Sequence, residues 1–185
     1  MYLVFPIGLA VLLAIAAVGD ARRYIIPNRL TMAVAGWFAL YALVGVTVTH
    51  TMTPASLIDP LLVAAAVFAV TAALFAMGVM GGGDVKLATA TSLWAGSQLV
   101  FEFLTLTALA GGVLSVIALV RHKRRTAQAG GRTPVAAGPP LDGPEVATTA
   151  PMADQPPPRV AYGIAIAVGG IFVASQLIIN GSTPS

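Results

Sequence analysis

The chain has 185 residues, of which 57% are hydrophobic and only 9% are charged, and its mean hydropathy is +0.88. Soluble domains carry about 25% charged residues, so this composition excludes an ordinary soluble protein and indicates a membrane protein. The absence of cysteine excludes disulfides, thiolate zinc sites and cysteine nucleophiles. The two histidines, His50 and His122, have no ligand pattern around them, so we expect no metal site and no cofactor.

Long uncharged runs predict the membrane spans, because a helix needs roughly 20 apolar residues to cross a bilayer core about 30 Å thick. In chain order the runs are Tyr2–Gly19, Leu30–Thr49, Pro60–Met80, Leu87–Phe101, Phe103–Val120 and Val160–Ile179. Only Glu102 divides the fourth run from the fifth. The two runs together are nevertheless too long for one crossing, so we expect two short helices that turn near Ser97–Glu102. The sequence therefore predicts an all-α membrane protein with six transmembrane helices.

The basic residues indicate how the spans are oriented. With six spans, all ten Lys and Arg residues fall on one side, and basic residues close to span ends mark the cytoplasm. Five spans would put the Arg121–Arg125 cluster outside. We therefore expect the N-terminus outside, and we assign the net charge of +3 to membrane topology rather than to a nucleic-acid partner. A cleaved signal peptide at Tyr2–Gly19 is disfavoured, because two arginines follow this run and no basic residue precedes it.

The composition changes between residues 126 and 158, which hold eight of the thirteen prolines. This segment has too little apolar surface to offset the entropy of ordering, so we predict a disordered cytoplasmic loop. A polyproline II docking site at Pro156–Pro158 is the alternative interpretation. The predicted organisation is thus a five-helix membrane core over residues 1–125, the loop, and a sixth helix with a short outer tail over residues 159–185.

Two acidic residues, Asp20 and Asp84, lie at the cytoplasmic ends of predicted spans. Ionisable groups at membrane depth are costly, which makes them functional candidates. Each has a structural alternative: Asp20 pairs with Arg22 or Arg23, and Asp84 is the N-cap of a helix while Gly81–Gly83 end the previous one. As a pair they suit a general acid/base dyad, in which one carboxylate stays charged as base and the other stays protonated as acid. Such a dyad activates water without a metal.

The other five acidic residues are expected to have structural or solubilising roles. Asp59 and Glu102 fall on the outer face near helix ends, where capping or hydration at the interface explains them. Asp142, Glu145 and Asp154 fall in the predicted loop. Asp20 and Asp84 are therefore the candidate catalytic pair.

Three motifs carry a resemblance to a known family. Gly81-x-Gly83-Asp84 looks like the GxGD motif of intramembrane-type aspartic proteases, and its continuation through Val85-Lys86-Leu87 resembles the form seen in prepilin peptidases. The segment Asp20–Thr31 is similar to the D-x-R-x-x-x-I-P-N-x-L-T signature of the same family. Val160–Ala167 resembles its P-Y-G-x-A-I-A motif, with Ala161 in place of the usual proline. The chain is identified as a member of the type IV prepilin peptidase family.

This resemblance implies an aspartic endopeptidase of the bacterial inner membrane that acts in pilus biogenesis and type II/IV secretion. Asp20 and Asp84 would be catalytic and would face the cytoplasm. The substrate would be a prepilin with a basic leader, a glycine before the cut and a hydrophobic helix. Because the chain lacks cysteine and a long insertion between its first two spans, the resemblance implies the small Flp (tight-adherence), TadV/CpaA-like type. That type has no zinc domain and no methyltransferase activity.

Further residues are expected to bind the substrate or shape the site: Gly81, Gly83, Lys86, Arg22, Pro27 and Asn28. The glycines allow a substrate strand to approach the backbone closely. Pro27 ends the first loop, and Asn28 caps the second helix. Arg22 and Lys86 raise the local positive potential, which favours the ionised form of one carboxylate, or they act only as topology determinants.

Two functions are alternatives to the protease. A non-catalytic assembly subunit of a pilus or secretion system would use both aspartates as helix caps. A proton-coupled transporter would need carboxylates near the membrane midplane, whereas Asp20 and Asp84 lie at span ends.

Overall fold

The computed structural model describes residues 3–23, 27–129 and 162–182, and regular structure in these residues is helical throughout. The helices are α1 (Val4–Arg23), α2 (Asn28–Thr47), α3 (Ile58–Ala76), α4 (Gly82–Ala129) and α5 (Tyr162–Ser182), with a short 3-10 helix at Pro54–Leu57. Within this part of the chain, five helical segments are long and apolar enough to cross a membrane. The predicted all-α membrane class is confirmed, and the chain is a multi-pass membrane protein.

The outward surface of the helices is apolar. Leu62 on α3 is 65% exposed, Phe101 on α4 is 75% exposed, and Leu109 is 66% exposed. Soluble monomers rarely expose continuous apolar patches of this kind. Lipid is the environment that suits such a surface, in agreement with the length of the helices.

Helices α1 and α2 run antiparallel, which brings the end of α1 beside the start of α2. Near the start of α1, the backbone carbonyl of Phe5 accepts a hydrogen bond of 2.9 Å from Nε1 of Trp37. The ring of Phe5 also packs on Tyr41, with 5.2 Å between ring centroids. Trp37 lies at the middle of α2 and Tyr41 lies in its second half. Asp20 and Asn28 therefore lie at the same end of this helix pair, which we call the site end.

The connection from α3 to α4 is a helix stop followed by a new helix start. Gly78 has φ 74, and the N–H groups of Gly78 and Val79 donate to the carbonyls of Phe75 and Leu74 at 2.9 and 3.0 Å. This is the Schellman arrangement, in which a glycine takes the left-handed conformation. The expectation that Gly81–Gly83 end α3 is wrong, because Gly78 ends it.

Helix α4 is interrupted at Gly96, whose φ of 54 and ψ of −169 are non-helical. Backbone of this kind is nearly restricted to glycine. The turn predicted near Ser97–Glu102 therefore lies at Gly96, and residues 97–102 are helical. The N–H of Ser97, which begins the second arm, donates to Oδ2 of Asp59 on α3 at 3.0 Å. Asp59 thus caps a helix, as expected, but the helix is the second arm of α4.

The two arms of α4 lie side by side. A Cβ added to Gly169 of α5 would meet the side chain of Thr107, and a Cβ added to the neighbouring Gly170 would meet Thr91. In a straight helix Thr91 and Thr107 would be about 24 Å apart along the axis. Since adjacent residues of α5 contact both, the chain reverses at Gly96 and both arms pack against α5.

The second arm continues to Ala129, so residues 126–129, placed in the loop by the sequence, are helical. The rest of the predicted loop, residues 130–158, lies outside the described residues. Residues 24–26 and 160–161, which belong to the motifs, also lie outside them.

Candidate active site

Asp84 is the third residue of α4. The carbonyl of Gly81, the residue before the helix, accepts hydrogen bonds from the N–H groups of Asp84 and Val85 at 3.0 and 3.2 Å. In return, the N–H of Gly81 donates to the Asp84 carboxylate. The prediction that Asp84 is the N-cap is therefore wrong, because Asp84 lies inside the first turn. Its carboxylate nevertheless satisfies a backbone N–H at the helix start, as the third residue of a capping box does.

The space for this carboxylate depends on Gly81. A Cβ added to Gly81 would lie 2.9 Å from Oδ2 of Asp84. Atoms at such a distance overlap, so the first glycine of the G-x-G-D motif leaves room for the side chain of its own aspartate. Gly83 is half-buried in the first turn of α4. The predicted approach of a substrate strand to Gly81 and Gly83 stays a prediction.

Asp20 lies near the end of α1 and is only 4% exposed. Its carboxylate accepts hydrogen bonds from the backbone N–H groups of Gly163 and Ile164, in the first turn of α5. Oδ2 of Asp20 has no hydrogen-bond partner among the described residues. The polar contacts of Asp20 are thus made with backbone amides of α5, while Arg22 is exposed. The side chain of Arg23 lies outside the described residues.

Gly163 and Ile164 are site residues that sequence reasoning missed. The motif Val160–Ala167 carries the family resemblance, but the sequence predicts no role for any residue in it. The first N–H groups of a helix have no acceptor within the helix, and with the helix dipole they form a site suited to an anion. In this protein the anion is the carboxylate of Asp20. The position of the motif at the start of the last predicted helix was the signal that pointed to this role.

The carboxylates of Asp20 and Asp84 are close enough for their charges to repel each other. The site therefore forms where the end of α1 meets the starts of α4 and α5. Two carboxylates that repel one another do not both ionise readily, so one carboxylate and one carboxylic acid are the expected state. An arrangement of one carboxylate and one carboxylic acid can take a proton from one group and give a proton to another.

Lys86 and Asn28 meet at the same end of the molecule. Nζ of Lys86 donates a hydrogen bond of 3.1 Å to Oδ1 of Asn28, which joins α4 to the start of α2. The prediction that Asn28 caps α2 is wrong, because the residue before the helix is Pro27 and no side chain caps the helix. Pro27 ends the loop as expected, since α2 begins directly after it. Arg22 and Pro27 are both exposed.

Comparison with known proteins agrees with this geometry. The model of the type IV leader peptidase family matches residues 7–116, which is more than half of the chain. The matched residues include Asp20, Gly81 and Asp84, and they end before α5. Comparison with curated proteins and with solved structures gives no match. The paired aspartates of this multi-pass membrane protein thus lie within the match, and the chain belongs to the type IV leader peptidase family.

Proposed function

We propose that the chain is an aspartic endopeptidase that removes the leader peptide from prepilins at the cytoplasmic face of a bacterial inner membrane. The observation that carries this proposal is the pairing of Asp20 with Asp84. The two residues come from different helices, and their carboxylates interact through their charges. Membership of a leader peptidase family supplies the class of reaction.

The reaction would be hydrolysis of one peptide bond. One carboxylate accepts a proton from water while the water oxygen attacks the scissile carbonyl carbon. The other aspartate, protonated, donates its proton to the leaving nitrogen as the carbon–nitrogen bond breaks. The products are the leader with a new carboxylate and the pilin with a new amino group. General acid or base catalysis by a positioned side chain typically contributes about 10²- to 10⁴-fold to the rate.

The topology in this proposal has six membrane crossings with the N-terminus outside. The reversal of α4 at Gly96 supports it, because the two arms then count as separate crossings. Six crossings put Arg22, Lys86 and Arg121 on one side, which basic residues at span ends mark as the cytoplasm. The paired aspartates would then face that side.

The substrate in this proposal is a Flp-type prepilin. Its leader would lie in the cytoplasm and its hydrophobic helix in the membrane, so the junction between them would meet the site end of the bundle. Only residues 24–27 lie between α1 and α2, which leaves no room there for the zinc domain of the larger enzymes. We therefore propose leader removal without methyl transfer at this site.

The proposal is tested with Asp20→Asn and Asp84→Asn variants, each co-expressed with a Flp-type prepilin. Leader removal is followed as a mobility shift on a gel, and the amount of each variant in the membrane fraction is measured by immunoblot. We expect either variant to abolish detectable processing. Glu102→Gln is the matched control, because Glu102 is exposed and lies just after the break at Gly96, at the opposite end of the first arm of α4 from Asp84. Full processing by either aspartate variant would contradict the proposal.

The second candidate is a non-catalytic assembly subunit. The hydrogen bond between the N–H of Gly81 and the Asp84 carboxylate favours it, because this bond is a helix-capping contact. Under this alternative, the double variant Asp20→Asn/Asp84→Asn still supports pilus assembly from full-length prepilin, whereas the peptidase proposal predicts assembly only when mature pilin is supplied without its leader. Loss of leader removal together with assembly from mature pilin alone would assign the peptidase role.

A further inference from the structure

The position of Asp20 in its own helix is electrostatically unfavourable. Asp20 lies in the last turn of α1, where the unpaired carbonyls form the negative end of the helix dipole. The side chain is also almost completely buried, with 4% of its surface exposed. A carboxylate in such a place stays ionised only when hydrogen-bond donors compensate for the lost water.

The first turn of α5 provides part of this compensation. The N–H groups of Gly163 and Ile164 both donate to the Asp20 carboxylate. They are the second and third residues of α5, so neither N–H has an acceptor within the helix. The positive end of the α5 dipole therefore faces the Asp20 carboxylate. It opposes the negative end of the α1 dipole, which disfavours a negative charge on Asp20.

The two aspartates are not equivalent in this respect. Asp20 accepts from two amides of another helix, whereas Asp84 accepts from one amide, that of Gly81. Asp84 also faces the negative charge of Asp20. The donors therefore favour the negative charge on Asp20 and the proton on Asp84. Oδ2 of Asp20 is buried and accepts no hydrogen bond from the described residues, so its capacity as an acceptor is unused.

We infer that the first turn of α5 is a positioning element that favours the ionised form of Asp20 and leaves its Oδ2 free to accept a proton from the attacking water. Asp20 is then the general base and Asp84 is the general acid. This inference rests on the proposed peptidase function. The proton of the water goes to Oδ2 of Asp20, and the proton of the Asp84 carboxyl goes to the leaving nitrogen. After product release, transfer of the proton from Asp20 to Asp84 restores the starting state.

The groups that bind the Asp20 carboxylate are peptide N–H groups and not side chains. A proline substitution therefore removes one of these donors directly. Proline lacks the N–H but is tolerated in the first turn of a helix, where that N–H has no acceptor in the helix. This chain already has proline as the third residue of two helices, Pro6 in α1 and Pro60 in α3. Ile164 is the third residue of α5, so Ile164→Pro removes one donor to Asp20 at a position where proline fits.

The kinetic test compares purified Ile164→Pro with Ile164→Ala, which also shortens the side chain but keeps the N–H. Removal of one hydrogen bond to a charged group predicts a kcat for the proline variant roughly 10- to 100-fold below that of the alanine variant. KM for the prepilin is expected to be the same in both. Equal kcat values, or a difference confined to KM, would overturn the inference.

A second measurement tests the contact between the N–H of residue 164 and the Asp20 carboxylate without measuring activity. The thermal midpoints of Ile164→Pro and Ile164→Ala are compared in detergent, first with Asp20 present and then in combination with Asp20→Ala. We expect proline to lower the midpoint relative to alanine when Asp20 is present and to lower it much less when Asp20 is replaced. An equal lowering in both backgrounds refutes the contact. If the wild-type chain removes no leader, the proposed function fails, and this cycle still decides whether α5 holds Asp20.

Discussion

Gly81 and Asp84 form a reciprocal pair at the start of α4. The Gly81 carbonyl accepts from the N–H of Asp84 at 3.0 Å, and the Gly81 N–H donates to the Asp84 carboxylate. A Cβ at Gly81 would lie 2.9 Å from Oδ2 of Asp84. The glycine therefore orients the carboxylate through its N–H and leaves the space that the carboxylate occupies.

Gly81→Ala is expected to displace the Asp84 carboxylate while leaving the fold intact. The backbone of Gly81 lies outside the left-handed region, so alanine can adopt it, and the overlapping atom is the mobile end of a side chain. A misplacement of about 1 Å in a catalytic group costs on the order of 100-fold in rate. We expect a loss of that order in leader removal, with a change in the free energy of unfolding below about 1 kcal/mol.

The matched control for this variant is Gly19→Ala. Gly19 precedes the other aspartate in the chain, and a Cβ added there would meet nothing within 4 Å. The control should process prepilin at the wild-type rate, measured in the same time course. If Gly81→Ala is as active as Gly19→Ala, the steric account of the first motif glycine is wrong.

The hydrogen bond between Lys86 and Asn28 allows two roles of the lysine to be distinguished: joining α4 to α2, or acting on the carboxylates through its charge. If its main role is to join α4 to α2, Lys86→Met and Asn28→Ala should have similar effects. Since both side chains are exposed, we expect each variant to lower the rate of leader removal by about 2- to 5-fold, and the double variant to be no worse than either single variant. A much larger loss in Lys86→Met than in Asn28→Ala would assign Lys86 an electrostatic role at the carboxylates instead.

The class of the fold and the candidate pair of aspartates could be predicted from the sequence, because both depend on local features. Apolar runs of about 20 residues match the bilayer thickness wherever they occur. Asp84 follows three glycines in a recognisable motif, and Asp20 begins another. Charge placement at span ends then predicts that both aspartates lie at one end of the bundle, and their electrostatic contact agrees with this prediction.

The contacts that hold the site depend on distant parts of the chain, and the sequence does not show them. The amides of Gly163 and Ile164 reach Asp20 only because α5 packs against α1. Helix α3 ends at Gly78 through backbone hydrogen bonds. Because any nearby glycine can adopt the required conformation, the sequence does not show which glycine ends the helix. The break at Gly96 is stabilised by Asp59, which belongs to another helix.

Gly96→Ala is expected to destabilise the protein, because φ 54 with ψ −169 is strained for any residue with a Cβ. The cost of such strain is about 1–3 kcal/mol. Gly112→Ala in the second arm of α4 is the control, since a Cβ there would meet nothing within 4 Å. Alanine is the better helix former, so the control should be neutral or more stable by up to about 1 kcal/mol. Thermal unfolding in detergent measures both, and equal midpoints would contradict the strained conformation at Gly96.

The reversal at Gly96 also predicts which residues face the outer side of the membrane. The chain has no native cysteine, so a single introduced cysteine is the only thiol of this protein that a membrane-impermeant maleimide can label. Three exposed positions suffice: Thr51 between α2 and α3, Met77 between α3 and α4, and Gln98 just after the break. With six crossings and the N-terminus outside, Thr51→Cys and Gln98→Cys label in intact cells, whereas Met77→Cys labels only after permeabilisation.

The cysteine at position 98 decides between six crossings and five. In a single straight crossing by α4, Gln98 would lie near the middle of the hydrocarbon and would not react from either side. In the reversed arrangement it follows the turn held by Asp59, where an exposed carboxylate and a polar side chain are expected to meet water. Thr51→Cys is the positive control for the outer side. Labelling of position 51 without position 98 would contradict the six-span topology, and labelling of position 77 in intact cells would contradict the orientation.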